Sequence, residues 1–194
     1  GKTTNALEKI LDNYFNDSKK TIDGLLQLKQ YHIQIVKNLF GNDSFEIEET
    51  INKLFEELSG FLNSNKSPNY SFVYDQVVSI GELLSSKIVH AFMKFSGLDN
   101  YWLDSRKCIK TDDYYRAANL NWELTSQNIK NSLKGYSLAV TQGFIGSNSN
   151  NFTTTLGREG SDYSAAIFAY VLNASSLTIW KDVPGVLNGD PRVF

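Results

Sequence analysis

The segment TTTLGREGSDYS, residues 153–164, combines the residue types that bind an anion at the start of a helix. Gly157 and Gly160 let the backbone approach a ligand closely, and Ser161 is a favourable N-cap for the apolar run that follows. Unpaired N–H groups at a helix start favour phosphate or carboxylate, and the Arg158 guanidinium offers a planar fork of donors to either group. Without further context, a capped helix behind a solvated loop is the more common explanation of such a segment.

Two acidic residues elsewhere could add chemistry to this segment. Asp182 follows the apolar stretch SLTIW at 176–180, and a carboxylate at a strand end can hold a metal-bound phosphate, although an ordinary strand exit is commoner. Glu82 lies within the apolar helical run SIGELLS at 79–85. Because glutamate is seldom buried without a partner, Glu82 either faces solvent or binds a cationic group.

Other reactive residue types lack the neighbours that chemistry requires. GKTT at the start resembles the end of a phosphate-binding loop, but the upstream glycine and strand of such a loop are missing. His32 and His90 have no partner at metal-ligand spacing, and Cys108 has no local activating motif. These residues are therefore predicted to be structural or exposed.

Composition and charge exclude several classes of protein. The 194 residues include 19 basic and 21 acidic side chains, a net charge of −2, which gives no electrostatic case for binding nucleic acid or an anionic membrane. No stretch approaches the ~20 apolar residues of a membrane span. The single cysteine allows no internal disulfide and fits a reducing compartment, so a cytoplasmic location is expected.

The elements that would position these residues change character along the chain. Apolar spacing predicts helices over 3–15, 22–40, 45–62 and 73–95, the last with a break near Gly81. Beyond Gly97 the pattern predicts strands at 101–104, 107–110, 135–146 and 176–180, a polar loop at 147–155, and a buried helix at 165–172. Such alternation indicates an α/β sheet covered by helices, with ligands beyond the carboxyl ends of the strands.

The segments GFIGSNSNNFTTTLGREGSDYSAA and IWKDVPGVLNGDPR closely resemble the aspartate kinase family, whose members have the amino acid kinase fold. GKTTNAL and SIGELLSS resemble two further segments of that family in the right order, so the resemblance covers almost the whole chain. It implies an α/β protein, a three-layer α/β/α sandwich of the carbamate kinase-like type with a helical N-terminal half. Residues 1–194 are then expected to be a partial catalytic domain, incomplete at both ends, without the family's N-terminal K-F-G-G-T-S strand and C-terminal ACT region.

The activity that this resemblance implies is ATP-dependent phosphorylation of the side-chain carboxylate of L-aspartate. The product is 4-phospho-L-aspartate, the first intermediate towards lysine, threonine and methionine, and the cofactors are ATP and Mg²⁺. In the family pattern Arg158 corresponds to the partner of the substrate α-carboxylate, Glu82 to the acceptor of its α-ammonium group, and Asp162 to the residue that orients the catalytic groups. The remaining expected contacts are Thr4, Phe144 and Ser161 for the substrate, and Lys181, Asp182, Asp190 and Arg192 for the nucleotide.

Three departures from the family pattern bear on the nucleotide. Glu159 replaces a usual glycine and adds negative charge near the phosphates, Lys181 replaces a usual threonine and can offset that charge, and Leu187 stands where some members have a tyrosine. Because the lysine of the missing N-terminal motif stabilises the transition state, this chain alone is expected to be inactive. Loss of a first strand would expose a sheet edge or a groove, and such edges recruit partners, so self-association into a homo-oligomer is expected.

Two alternatives remain open at this point. The chain could be a non-catalytic binding or assembly module of the same fold, which the Glu159 departure motivates. It could also come from an amino acid kinase that acts on another carboxylate. The pairing of Glu82 with Arg158 favours an α-amino acid substrate, since a zwitterion needs one fixed anion and one fixed cation.

Overall fold

A computed structural model describes residues 2–181, which divide into a helical N-terminal half and a mixed C-terminal half. The helical half comprises α1 (Thr3–Asn16), α2 (Ser18–Phe40), α3 (Phe45–Ser64) and α4 (Tyr70–Phe95), with a 3₁₀ turn at Gly41–Asp43. The mixed half comprises β1 (Tyr101–Leu103), α5 (Ser105–Cys108), α6 (Trp122–Ser132), β2 (Ala139–Thr141), β3 (Ile145–Ser147), β4 (Thr153–Thr155) and α7 (Gly160–Val171). The four long helices confirm the prediction from apolar spacing.

The four helices bury one continuous apolar cluster to which each of them contributes. Leu7 and Leu11 of α1, Ile51 of α3 and Leu84 of α4 are all fully buried within it. Two of the helix starts are closed by side-chain caps, since Asp17 accepts from Lys20 N at 3.2 Å and Asn69 accepts from Phe72 N at 3.2 Å. The buried apolar side chains and the side-chain caps thus act together to fix the helix boundaries.

The predicted break of α4 near Gly81 is wrong, because α4 continues through this residue. A Cβ atom placed on Gly81 would lie 3.3 Å from both Leu7 Cδ1 and Thr3 Cγ2. The glycine therefore lets the start of α1 pack closely against the middle of α4. A glycine that serves a close approach was mistaken for a glycine that ends a helix.

The strands form two small sheets. β1 pairs with β2 in parallel, with Tyr101 opposite Ala139, whereas β3 and β4 form an antiparallel hairpin with Ile145 opposite Thr155. The strand predicted over 135–146 is therefore split into β2 and β3 by the turn at 142–144, where Phe144 has a φ of +69°.

Two further predictions in this half are wrong. No strand spans 107–110, because Cys108 ends the short helix α5 and Lys110 makes only an isolated bridge to Ser147. The predicted polar loop at 147–155 ends in a buried strand, β4, because three successive β-branched threonines suit an extended backbone.

The last described residues also differ from the prediction. No strand is assigned to 176–180, and Trp180 is 90% exposed, because no described strand lies alongside to pair with this segment. The helix predicted as buried at 165–172 exists as α7, but Tyr170 on it is 77% exposed and only Ile167 and Val171 of its large apolar side chains are buried. An apolar sequence alone does not show which faces of a helix are covered.

His32 is a buried side chain that connects α2 to the start of α1. Its Nδ1 lies 2.9 Å from the carbonyl oxygen of Leu28, which can only accept, so the proton is on Nδ1. Nε2 is then free to accept from the hydroxyl of Thr3, at 3.3 Å. Burial lowers the pKa of His32 below its ordinary value of 6.5, because the imidazolium form is poorly solvated there.

This geometry predicts how stability depends on pH. Because the pKa is lower in the folded than in the unfolded state, the unfolded chain binds the proton more readily, and His32 destabilises the fold as pH falls below about 6.5. Urea unfolding of wild type and of His32→Gln at about pH 7.5 and about pH 5.5 tests this. The lower pH should reduce the free energy of unfolding of the wild type more than that of the variant. An unchanged difference would contradict the assignment of a buried neutral His32.

Candidate functional site

The turn between β2 and β3 crosses the first turn of α7. The backbone N–H of Phe144 donates to Ser164 Oγ at 2.9 Å, and Ser164 Oγ in turn donates to the carbonyl of Gly160 at 2.8 Å. A Cβ atom on Gly143 would lie 2.9 Å from Ser161 Cα, closer than real side chains approach a backbone. Two predicted substrate residues, Phe144 and Ser161, are thus brought together.

The helix start differs in detail from the prediction. α7 begins at Gly160, so Glu159, with a φ of +57°, is the N-cap, and Ser161 is the second helical residue rather than the cap. The N–H of Gly160, the first helical residue, donates to Gly157 O at 3.0 Å, and the next helical N–H to bond is that of Tyr163, which donates to Glu159 O at 3.1 Å. The N–H groups of Ser161 and Asp162 have no partner among residues 2–181, so both remain available to an anion.

Lys181 lies at this helix start between two carboxylates. Its Nζ is 2.8 Å from Asp162 Oδ2 and 3.1 Å from Glu159 Oε2. The hydrogen bonds to Asp162 and then Glu159 raise the pKa of the lysine, which stays protonated. The contact with Glu159 is the one expected if Lys181 offsets the charge that Glu159 adds.

Arg158 and Glu82 both lack a charged partner within the described part of the chain. Arg158 is exposed, one residue before the cap of α7. Glu82 is half-buried, and burial raises the pKa of its carboxyl group. An unpaired cation and an unpaired, partly desolvated anion are the groups that a zwitterionic ligand would neutralise.

Glu82 lies on the helix face of α4 that contacts the β2–β3 turn. Ser86 lies one turn further along the same helix face, and its hydroxyl accepts from Gln142 Nε2 at 2.8 Å and from Trp102 Nε1 at 3.1 Å. Thr3 packs on Gly81, the neighbour of Glu82, so the start of α1, which carries the exposed Thr4, lies beside this part of α4. The predicted nucleotide residues Asp182, Asp190 and Arg192 lie outside the described residues.

Sequence reasoning missed Asp75, a buried carboxylate on α4. Asp75 accepts hydrogen bonds from Thr155 N at 2.9 Å, Thr155 Oγ1 at 2.8 Å and Arg116 N at 3.0 Å. Burial raises its pKa to about 6, against the opposing effect of these donors. The available signal was its spacing, since Asp75 precedes Glu82 by two helical turns in an apolar run.

Gln76, the next residue along α4, forms hydrogen bonds with the backbone of strand β4. Its Nε2 donates to Thr153 O at 2.7 Å and its Oε1 accepts from Thr153 N at 3.1 Å, as a neighbouring strand would. Together, Asp75 and Gln76 fasten β4 to α4. Since Arg158 follows β4 by three residues and Glu82 lies on α4, these hydrogen bonds set the relative position of the two candidate ligand contacts.

Two further features that bear on function are clusters of metal ligands and membrane-spanning helices. Within residues 2–181, no group of three or more His, Cys, Asp or Glu side chains is placed to hold a metal ion. Among the same residues, no helix is both long and apolar enough to cross a membrane.

Comparison with protein families matches residues 3–194 to the amino acid kinase family. The chain belongs to the amino acid kinase family. Lysine-sensitive aspartokinase 3 of Escherichia coli is 37% identical over 151 residues, which are 76% of this chain and 33% of that protein. Aspartokinase of Chlamydia pneumoniae is 33% identical over 170 residues, 88% of this chain and 37% of that protein.

Solved structures support the same assignment. The crystal structure of E. coli aspartokinase III with aspartate and ADP matches this amino acid kinase chain with a TM-score of 0.87 and 31% identity, covering 98% of this chain and 42% of the other. The structure of the same enzyme with lysine and aspartate gives a TM-score of 0.84. The predicted α/β amino acid kinase fold is therefore confirmed. The chain spans about a third of the length of the curated relatives named above.

The role of Asp75 in holding the site predicts a large effect on stability. Asp75→Ala leaves the buried N–H and hydroxyl of Thr155 and the partly buried N–H of Arg116 without their acceptor. This should lower the free energy of unfolding by about 2–4 kcal/mol in urea denaturation. The matched control is Asp113→Ala, because Asp113 is an exposed aspartate whose side chain makes no hydrogen bond to the described residues. This control should change stability by less than about 0.5 kcal/mol, and equal effects of the two changes would contradict the role of Asp75.

Proposed function

We propose that the full-length protein is an aspartate kinase, which transfers the γ-phosphoryl group of ATP to the side-chain carboxylate of L-aspartate. The product would be 4-phospho-L-aspartate, and the pathway the biosynthesis of lysine, threonine and methionine. The observation that carries the proposal concerns Glu82 and Arg158, which both lack a charged partner among residues 2–181. Glu82 lies on α4 and Arg158 follows β4, and Asp75 and Gln76 join α4 to β4 by hydrogen bonds. The similar E. coli structure, which contains aspartate and ADP, supports it.

Recognition of aspartate would use each charge of the amino acid. The Glu82 carboxylate accepts from the α-ammonium group, and the Arg158 guanidinium pairs with the α-carboxylate in a two-pronged hydrogen bond. Thr4, Phe144 and Ser161 form the remaining walls of the substrate pocket. The side-chain carboxylate is then the group left to face the nucleotide.

Phosphoryl transfer needs positioning and charge stabilisation more than covalent help from the protein. The N–H groups of Ser161 and Asp162 would bind a phosphate oxygen at the start of α7, and Asp162 would orient the reacting groups. Lys181, Asp182, Asp190 and Arg192 are the proposed nucleotide contacts. Mg²⁺ would accompany the nucleotide phosphates, where it would neutralise charge.

The domain, the location and the assembly of the protein belong to the same proposal. We assign residues 1–194 to part of a catalytic domain and expect no turnover from this chain by itself. The cytoplasm is the proposed location, and a homo-oligomer is the proposed assembly of the full-length protein.

The direct test is aspartate-dependent release of ADP by the full-length protein. Activity with aspartate would support the kinase. Activity only with another amino acid bearing a second carboxylate would replace aspartate as the substrate. Binding of nucleotide without turnover on any carboxylate would favour a non-catalytic module of the same fold.

Arg158 and Asp162 are predicted to affect different kinetic constants. Arg158→Ala should raise the KM for aspartate by about 10- to 100-fold with little change in kcat, because it removes a charged hydrogen-bonding partner of the bound substrate. Asp162→Asn should mainly lower kcat. Steady-state kinetics that leave both variants at wild-type values would remove these residues from the site.

Glu82 is predicted to discriminate aspartate from succinate, which is aspartate without its amino group. The wild-type protein should prefer aspartate strongly, because the ammonium group neutralises a partly desolvated carboxylate. Glu82→Gln should reduce the ratio of kcat/KM values for the two acids by about tenfold or more. A ratio that does not change would show that Glu82 does not contact the ammonium group.

A further inference from the structure

Two departures from the aspartate kinase pattern contact each other in the structure. Glu159 stands at a usual glycine and Lys181 at a usual threonine, 22 residues apart in sequence. Their charged ends nevertheless lie 3.1 Å apart, and the lysine also reaches Asp162 at 2.8 Å. The two replacements are therefore one change in the electrostatics of the α7 start, and their effects should depend on each other.

The backbone at Glu159 makes the glutamate a less ordinary choice. Its φ of +57° is in the left-handed region, which glycine adopts more readily than any residue with a side chain. Alone, a carboxylate next to the unpaired N–H groups of Ser161 and Asp162 would also repel an anionic ligand. The contact of Glu159 with Lys181 offsets both the unfavourable backbone conformation and the repulsion of the ligand.

The Lys181 ammonium group has capacity left for a ligand. A lysine carries three N–H donors, of which one is used by Asp162 and one by Glu159. The side chain is 44% exposed and the third donor has no partner among residues 2–181, so this donor can reach a ligand at the start of α7. A phosphate there would meet a fixed ammonium group as well as the two backbone N–H groups.

We propose that Glu159 is a positioning residue that holds the Lys181 ammonium group beside Asp162, where Lys181 binds a phosphate group of the nucleotide. This inference rests on the proposed function, because it concerns the nucleotide of the same reaction. In this chain Lys181 supplies a positive charge that a threonine would not carry, and the salt bridge to Glu159 holds that charge in place. Lys181 contacts the ligand, and Glu159 acts only through Lys181.

The test is a double-mutant cycle on the affinity of the full-length protein for ADP with Mg²⁺, measured by titration calorimetry at low ionic strength. Lys181→Thr should weaken binding by about tenfold, the effect of losing one charged hydrogen bond. Glu159→Gln should weaken binding in the wild-type background and strengthen it in the Lys181→Thr background, where the glutamate only repels. This reversal of sign distinguishes a positioning role from plain repulsion.

Each other outcome of the cycle overturns the proposal. If Glu159→Gln strengthens binding in both backgrounds, the glutamate acts only as a repulsive charge. If Glu159→Gln changes the affinity in neither background, the salt bridge has no part in nucleotide binding. Exposed salt bridges contribute little to stability, so the variants should stay folded. Lys181→Arg, which keeps the charge, should bind within a few-fold of wild type, and Lys66→Thr, which removes an exposed loop lysine, should not change affinity.

The binding measurement also separates this inference from the proposed function. Protein that binds ADP with the predicted reversal but does not phosphorylate aspartate would refute the kinase proposal and keep the role of the pair. Aspartate-dependent turnover without the reversal would do the opposite. If the wild-type protein does not bind ADP, both proposals are wrong.

Discussion

The candidate site depends on one buried interaction, the set of hydrogen bonds that the Asp75 carboxylate accepts from β4 and from the 112–119 loop. Taking a carboxylate out of water is unfavourable, and the raised pKa of about 6 shows that the donors offset this only in part. At neutral pH the group is mostly ionised and holds two N–H groups and a hydroxyl in fixed places. The strand that leads to Arg158 is thereby fixed to a long helix instead of to a wider sheet.

This connection explains how residues from both halves of the chain can form one site. α4 packs on α1 through Gly81, and on β4 through Asp75 and Gln76, so it contacts both halves directly. Glu82 lies on the part of α4 between these contacts and the β2–β3 turn. Glu82 is therefore held on a rigid helix, which positions a charged group more accurately than a loop would.

The sequence predicted the parts of this arrangement that local patterns control. Apolar spacing located four long helices correctly, because each buries a stripe against the others. The strand predicted at 101–104 exists as β1, but β2 and β3 were merged into one strand and β4 was missed. Each strand is only three residues long, and so short an element is set by its partners more than by its own pattern. β4 was taken for a loop because the atoms that bury Thr155 belong to Asp75, 80 residues earlier in the chain.

In the candidate site, too, the sequence predicted some residues and missed others. Motif similarity identified Glu82, Phe144, Arg158, Ser161 and Asp162, and the structure brings Phe144 to the helix start that carries Ser161 and Asp162. It did not identify Asp75 or Gln76, whose role appears only when α4 and β4 are seen in contact. Ser161 was expected to cap α7, but the observed N-cap is Glu159, two residues earlier than the capping preference indicates.

The segment TTTLGREGSD separates, on structural grounds, into a part that builds the site and a part that can react. Thr153 to Thr155 are buried and bonded to α4 or to Thr111, so none of them is free for a ligand. Gly160 leaves room for Phe144, because a Cβ atom there would lie 2.7 Å from the Phe144 ring. What remains for a ligand is the Arg158 guanidinium and the N–H groups of Ser161 and Asp162. All of these groups attract anions, so the carboxylate of Glu159 beside them requires a compensating cation, and Lys181 is the cation that the fold places there.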